Sequence, residues 1–475
     1  MQLLWGGDSI NLEQPNSKTR RGRVGHQIAN TLTTSCNQGI VESIKTINKG
    51  VDNMWNNNLE KLNFEMEEIR IFDIFAGIGA LHQSLKELGV PVRVTNLSEV
   101  DIDATISYAA GHIDNFKDLE FEYPSVEEMR QWLIDRNIGY SFEKNKSSVP
   151  RMKVEKLKLA YKANVLLNNL GDISKIDYDK IEDFDLMNMS FPCTDLSNAG
   201  QQRGMRNEDG TPTRSGLYVY SIKAVRAKKP KYVMIENVKA LIQKKFIEDF
   251  YSVISELEDI GYNCYYPTKE DKKGIKPTCL NSKDFGIPQN RERIFVIAIR
   301  KDIDTKTFEF PIGKDYGVRL KDVLEDQVDE KYYIEKTKKF FIKNSFDMER
   351  KGNGFRFEPH ISDNASIAKT ITTRAGGRMD DNFIMDNDMG INENKFKFDS
   401  KNPILTESNL NPDNFRIRKL TPLECWRLMG FRDEAFYNAQ ELGISDSQLY
   451  KQAGNSIVVN CLYYIFKNLF KEYIK

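Results

Sequence analysis

Four places in the 475-residue chain combine residue types that could do chemistry together. In "FDIFAGIGA", Gly77 and Gly79 lie between an apolar run and a helical one. There a ligand could approach bare backbone and a helix N-terminus. Glu99 and Asp101 follow about twenty residues on, where a ribose hydroxyl would need an acceptor. No third glycine completes G-x-G-x-x-G, so a nucleoside cofactor without phosphates fits better than a dinucleotide. Cys193, in "MSFPCTDLSNAG", lies just past a second apolar run, where a sheet presents reactive side chains. A nucleophilic thiolate needs an acid or base partner, and Glu236, ending the apolar run of "YVMIENVKAL", is a candidate. In "PQNRERIF", Arg291 and Arg293 alternate, which along a strand would put both guanidinium groups on one face. Each feature has a plainer explanation: a tight turn, an inert buried thiol, a helix N-cap at Asn237, a solvated strand edge.

The elements that must position these residues alternate between strand and helix. "IRIFDIF", "VRVTNLSEVD", "DFDLMNMSF", "KYVMIEN" and "RIFVIAIR" read as strands with helical stretches between them, and Gly89 closes the first helix. Such alternation predicts an α/β domain with a mainly parallel sheet. Two stretches break the rhythm. Residues 103–170 are a long, charged insertion expected to be helical, and 301–415 have no sustained period, as a binding region would. After 416 an apolar helical face suggests a return to the first core. Ahead of it all, 43–64 has roughly helical apolar spacing after a polar arm.

Composition excludes rather than identifies. Lys+Arg and Asp+Glu both count 69, so any nucleic-acid surface must be local. The six cysteines form no C-x-x-C pair and there are four histidines, so neither a disulfide framework nor a metal site is expected, and a reducing cytoplasm fits. No apolar run approaches bilayer length, so no membrane association is expected.

Taken together, "FDIFAGIGA", "GDI", "SFPCTDLSNAG", "TRSGLYVY", "ENVKAL", "NSKDFGIPQNRER", "RKLTPLECWRLMGF" and "YKQAGNSIVVN" occur in an order that closely resembles the DNA (cytosine-5) methyltransferase family of bacteria and phages. The blocks run from about 69 to 470, interrupted by 103–170 and 301–415. The resemblance implies a class I S-adenosylmethionine-dependent methyltransferase (Rossmann-like) sheet with one reversed strand, plus a smaller, irregular target-recognition domain. It implies a catalytic domain at 66–300, recognition at 301–415 and a C-terminal return at 416–475, behind an arm at 1–65.

By the same resemblance, the cofactor is S-adenosyl-L-methionine and the partner is duplex DNA. Cys193 would add to cytosine carbon-6, Glu236 would hydrogen-bond the ring nitrogen and amine, and Arg291 would support the base carbonyl, with Arg293 and Gln289 bracing that strand. Phe75 would pack on adenine, with Gly77 and Gly79 beside the methionine part. Glu99 would take the ribose, Asp172 the adenine amine and Ile173 the ring face, while Leu217, Asn455 and Ser456 complete the pocket. Val100 stands where many members have a bulky aromatic, Thr194 where Gln is common, and Ala80 where a third glycine is usual. The loop 197–216 has the composition of a mobile lid, with Arg203 and Arg206 as phosphate contacts. A flipped base is required, because the target atom is unreachable in a duplex. A transfer-RNA methyltransferase and a catalytically silent DNA-binding paralogue are the alternatives. The intact Cys193, Glu236 and Arg291 oppose the silent one, and the long stretch before 415 opposes the first. A restriction endonuclease of the same site is a candidate partner, and the chain is expected to act as a monomer.

"IAKTITT" at 367–373 nearly repeats "IANTLTT" at 28–34. Family recognition domains often carry such a phrase near DNA, which makes Thr370, Thr372, Thr373, Arg374 and Arg378 candidate contacts. The earlier copy, within 18–41, reads as a recognition-like segment out of order: either a remnant fused ahead of an intact enzyme or a second DNA-contacting arm with Arg20, Arg21 and Arg23 on phosphates, with a chance Thr-rich phrase as the plainer alternative.

Overall fold

The computed structural model describes residues 59–192 except 143, 213, 215–350 except 273, 357, 359–362, 365–385 and 416–475. It also describes short strands at 9–11, 24–25, 38–40, 398–399 and 402–403. Residues 1–57 and 58–475 form two compact units. In the first, Ser9–Asn11 pairs antiparallel with both Val24–Gly25 and Gln38–Ile40. The copy of the threonine phrase at 28–34, and Arg20, Arg21 and Arg23, lie outside the described residues. Helical spacing over 43–64 does not persist to its end: 59–63 are coil, and Phe64 bridges Ile474.

The second unit is built on a seven-stranded sheet. β1 (Ile69–Ile74), β2 (Val92–Ser98), β3 (Leu186–Met189) and β4 (Tyr232–Val238) run parallel in the order β2-β1-β3-β4. β1, β3 and the first half of β4 are largely apolar because both faces are covered, as a parallel sheet demands, whereas β2 carries Arg93, Thr95, Asn96 and Ser98. At matched register on β1 and β3 lies a buried polar pair: the Asn188 amide donates to Asp73 Oδ1 at 2.7 Å. The same sheet adds β5 (Tyr262–Tyr265), the two-residue β6 (Leu280–Asn281) and β8 (Glu292–Arg300), while β7 (Gln289–Asn290), just ahead of β8, lies outside it. β8 runs antiparallel to both β4 and β5, so it is the reversed strand.

Helix α1 (Ala80–Leu88) follows β1 and ends at Gly89, whose φ of 92° lets its N–H reach the carbonyls of Leu85 and Lys86. α2 (Ile102–His112) is capped by Asp101, which accepts from the N–H groups of Asp103 and Ala104. The insertion expected at 103–170 therefore begins later than its charge suggests. α2 is a core helix with Ile106, Tyr108 and Ala109 fully buried, and the excursion proper holds α3 (Val126–Asp135), a two-stranded hairpin and α4 (Val154–Leu166). Asn169 then makes a parallel bridge to Leu97, returning the chain to the outer edge of β2.

Helices α5 (Tyr218–Lys228) and α6 (Ile247–Ile260) precede and follow β4, and after β8 the 301–415 region contributes α7 (Glu335–Arg350), β9 (His360–Ile361), β10 (Ala368–Lys369) and β11 (Phe383–Met385); β12 (Ile417–Lys419) completes a small sheet with β9 and β11. Phe357, Phe383, Met385, Ile342 and Ile417 are its core. Strands this short are the irregularity the missing periodicity implied. α8 (Pro422–Arg427), α9 (Asp433–Glu441), α10 (Asp446–Asn455) and α11 (Val459–Leu469) follow; α9 packs on α2 and α11 on α1. No helix among the described residues is long and apolar enough to cross a membrane.

Candidate active site

β1, β2, β3 and β4 all end at one edge of the sheet, and the reversal of β8 brings its start to that same edge. At β1, Phe75 (φ 55°) and Gly77 (φ 55°) turn the chain sharply. A Cβ built on Gly77 meets nothing within 4 Å, so this loop faces open space. One on Gly79 would lie 2.5 Å from His112 Nε2, so glycine there permits close packing against α2. At β2, Glu99 accepts from the Gly77 N–H (3.0 Å) on one oxygen and from the Val100 and Asp101 N–H groups (2.8 and 2.9 Å) on the other. Burial holds its carboxyl above the usual carboxylate range, an effect increased by Asp101 and opposed by these N–H groups. Lys451, from α10, reaches Asp101 at 2.5 Å.

Asp172 lies beyond the bridge to β2, 6% exposed, and accepts from the Ser174 N–H and hydroxyl (2.9 and 2.8 Å). Two carboxylates flanking a glycine turn that faces open space fit the hydroxyls and amine of a nucleoside. Ile173 is buried among Phe72, Ile74 and Tyr218, while Phe75 is partly buried against the same cluster. Val100 is half-buried, Leu217 starts α5 (Tyr218–Lys228), Asn455 is the exposed end of α10, and Ser456 is buried.

Of the expected catalytic residues, Cys193 lies outside the described residues, as do Thr194, Arg203, Arg206 and nearly all of 197–216. The chain leading to it is firmly held. Asn188 accepts from the Ser190 N–H and hydroxyl, the Ser190 hydroxyl accepts from the Glu236 N–H (3.0 Å), and the Asn237 amide donates to the Phe191 carbonyl (3.1 Å). Asn237 is within β4, not at a helix N-cap. Glu236 Oε1 stands 3.0 Å from Arg293 Nε. Burial raises its carboxyl above the ordinary range, although Arg293 and Arg291 oppose that.

The two arginines do not share a face. Residue 291 falls in a break between β7 and β8, where its N–H bonds back to Gln289, so strand alternation does not apply. Arg293 turns to Glu236. Arg291, 4% exposed, donates to the carbonyls of Ile371 (3.3 Å), Gly454 (3.1 Å) and Ser456 (2.9 Å).

The threonine phrase at 367–373 is joined to this edge. β10 pairs parallel with β7, the fully buried Gln289 accepts from the Ile371 N–H (2.9 Å) and donates to the Leu428 carbonyl (2.7 Å), and the Thr370 hydroxyl donates to Asn290 (2.6 Å). Backbone meets backbone at Gly454, where a Cβ would lie 2.4 Å from the Thr373 nitrogen. Thr370, Thr373, Arg374 and Arg378 are exposed and Thr372 half-buried; Arg378 is paired with Asp380 at 3.0 Å. The two hydrogen bonds of Gln289, to Ile371 and Leu428, have no local sequence signature, because those partners lie 82 and 139 residues away.

Comparison with known proteins places this edge in context. The profile of the C-5 cytosine-specific DNA methylase family matches residues 137–471. The type II methyltransferase M2.ScrFI of Lactococcus lactis subsp. cremoris is 34% identical over 406 residues, covering 85% of this chain and 99% of its own. The orphan methyltransferase M.SPRI of Bacillus phage SPR is 28% identical, covering 86% and 99%. In fold, the chain is similar to the crystal structure of the S. pombe Dnmt2 methyltransferase, with a TM-score of 0.54 and 18% identity over 85% of this chain and 98% of that one. The chain belongs to the C-5 cytosine-specific DNA methylase family.

Proposed function

We propose the following division of labour for the family's reaction, transfer of a methyl group from S-adenosyl-L-methionine to carbon-5 of a DNA cytosine. Cytosine carbon-5 is a weak nucleophile. The thiolate of Cys193 adds to carbon-6, and the displaced π electrons make carbon-5 reactive, dividing one difficult step into easier ones. Glu236 faces the ring nitrogen and the exocyclic amine. With its carboxyl raised by burial, it can hold a proton at that nitrogen as negative charge develops. Bound S-adenosyl-L-methionine supplies an electrophilic methyl to carbon-5. Loss of the carbon-5 proton and departure of Cys193 then restore the aromatic ring.

The carrying observation is the Glu236–Arg293 pair, 3.0 Å apart beside the strand that leads to Cys193. It favours Arg293 over Arg291 for the base carbonyl, because the Arg291 guanidinium donates to three backbone carbonyls. Glu99, Asp172, Gly77 and Phe75 receive the cofactor, with Val100, Leu217, Asn455 and Ser456 at its margins. Arg374, Thr372 and Thr373 face DNA, and Arg203 and Arg206 meet phosphates as the lid closes over a flipped base. The enzyme acts as a cytoplasmic monomer on a specific duplex sequence. A restriction endonuclease of the same site accompanies it if it follows its type II relative, and none does if it follows the phage orphan.

The test uses a duplex carrying 5-fluorocytosine, whose carbon-5 cannot release its substituent. Wild-type enzyme should be trapped covalently, and Cys193→Ser should neither be trapped nor transfer a labelled methyl group. Trapping that survives the substitution would exclude Cys193 as nucleophile. Label entering transfer RNA in preference to duplex DNA would overturn the choice of substrate. Bisulfite sequencing of DNA methylated by the pure protein reads out its target site.

A further inference from the structure

The excursion between α2 and the bridge to β2 carries a feature that neither the catalytic reading nor the motifs use. Its turn at 136–139 is fastened to the ends of both cofactor segments. On one side the Gly139 N–H donates to the Val100 carbonyl at 2.7 Å. On the other, the Asp172 N–H donates to the Arg136 carbonyl at 2.9 Å. The approach is so close that a Cβ on Gly171 would lie 2.1 Å from the Arg136 oxygen. Between these anchors stands Asn137, with φ 54°, a left-handed conformation that asparagine tolerates better than most residues.

The Asn137 amide has a forced orientation. Its Oδ1 accepts from the Lys175 ammonium at 2.9 Å, and its Nδ2 donates to Asp172 Oδ2 at 2.7 Å. An ammonium can only donate and an ionised carboxylate can only accept, so the amide fits one way round. Asp172 Oδ1 is meanwhile held by the Ser174 N–H and hydroxyl. Three donors thus fix the plane of a nearly buried carboxylate. A carboxylate offers about four lone-pair sites, so one acceptor position remains for a ligand.

We propose that Asn137 is a positioning residue of the cofactor site: from the inserted segment it sets the orientation in which Asp172 accepts a hydrogen bond from the adenine amine. This makes the insertion a wall of the nucleoside pocket, and it rests on the reading that Asp172 faces adenine. Where Val100 offers no aromatic plane, recognition of the base depends on the polar edge, and Asn137 holds that edge in place.

Equilibrium binding tests this without turnover. The full chain is titrated with S-adenosylhomocysteine and with S-inosylhomocysteine, in which an oxo group replaces the amine. Asn137→Gly removes the amide and keeps the left-handed turn. It should narrow the preference for the adenine ligand about tenfold, as expected for loss of one hydrogen bond to a charged group. Loss of packing alone would weaken both ligands equally and leave their ratio intact, which would overturn the proposal. Asn137→Asp gives a second reading if the glycine variant does not fold: it keeps the shape but sets a like charge against Asp172, and should narrow the ratio at least as much. Asp172→Asn separates the two levels. If it narrows the ratio while the Asn137 variants do not, only the role of Asn137 fails. If neither residue affects the ratio, Asp172 does not read the amine and both readings fall.

Discussion

Two long excursions leave the sheet, one between α2 and the bridge at Asn169, the other between β8 and β12, and they are fastened to it by different means. The first is tied by the Asn137 side chain to a carboxylate, and by single backbone bonds at Val100 and Asp172. The second is held where β10 pairs with β7 and by buried side chains that reach its backbone: Gln289 and Arg291 both bond Ile371, and Arg291 also joins it to Gly454 and Ser456 of the C-terminal return. The first arrangement sets the angle of Asp172, the carboxylate proposed to meet the cofactor. The second fixes the height of a whole segment that would lie along DNA. Loosening the first should therefore alter cofactor affinity alone, and loosening the second should alter the use of DNA.

The largest effect is expected where the second excursion ends. Arg418 and Glu424 form a buried two-fold ion pair, with both contacts at 2.9 Å, and Glu424 also accepts from the N–H groups of Thr421 and Glu325. Glu424→Gln leaves a buried guanidinium without its counter-charge and should destabilise the fold by about 3–5 kcal/mol, measured by chemical denaturation. An effect below 1 kcal/mol would mean that this end is not closed to solvent.

Next comes a change at the sheet centre, beneath both excursions, that should favour neither. Burial raises the Asp73 carboxyl to about 7. The folded chain thus keeps a proton there that the unfolded chain has released above about pH 4. Stability from this group falls as pH rises from about 4 to 7, and the full cost is present above 7. Asp73→Asn should stabilise the protein by a few kcal/mol at pH 8 and by almost nothing near pH 4, read as melting temperature against pH. A uniform gain at all pH values would point to packing instead.

Smaller and more selective is Gln289→Ala. It strands the Ile371 N–H and the Leu428 carbonyl, a loss of about 1–3 kcal/mol. It should lower kcat/KM for DNA by about tenfold or more and leave S-adenosylhomocysteine affinity unchanged. The smallest effect is expected from Lys175→Met, which frees the Asn137 amide to rotate. Lys175 is exposed, so cofactor affinity should fall only about threefold, with the use of DNA unaltered. Crossed effects from either substitution would dissolve the distinction between the two excursions.

The sheet was largely legible because its strands are apolar on both faces: "IRIFDI", "LMNM" and "RIFVIAIR" leave few alternatives. The Gly89 stop was equally plain. The start of the first excursion was misjudged because α2 carries Asp103 and His112 beside its buried residues, and composition averages over them. Arg291 and Arg293 looked equivalent because alternation presumes an unbroken strand, and a turn at residue 291 breaks it. Asn137 left no trace in the sequence reading, since its meaning comes from Asp172 and Lys175, more than 30 residues away in the chain. Local spacing shows which groups a strand end can present. It says little about which distant backbone they will meet.

That distance has a consequence for synthesis. Two of the carbonyls that receive Arg291 belong to Gly454 and Ser456, 163 and 165 residues later in the chain. A growing chain at the ribosome holds this arginine, and the segment it supports, without those acceptors until residue 456 has emerged. Closure so late in sequence delays folding. The junction of the 367–373 segment with the strand ends thus forms later than the sheet beneath it, and a chain cut short before residue 454 should hold the sheet without that junction.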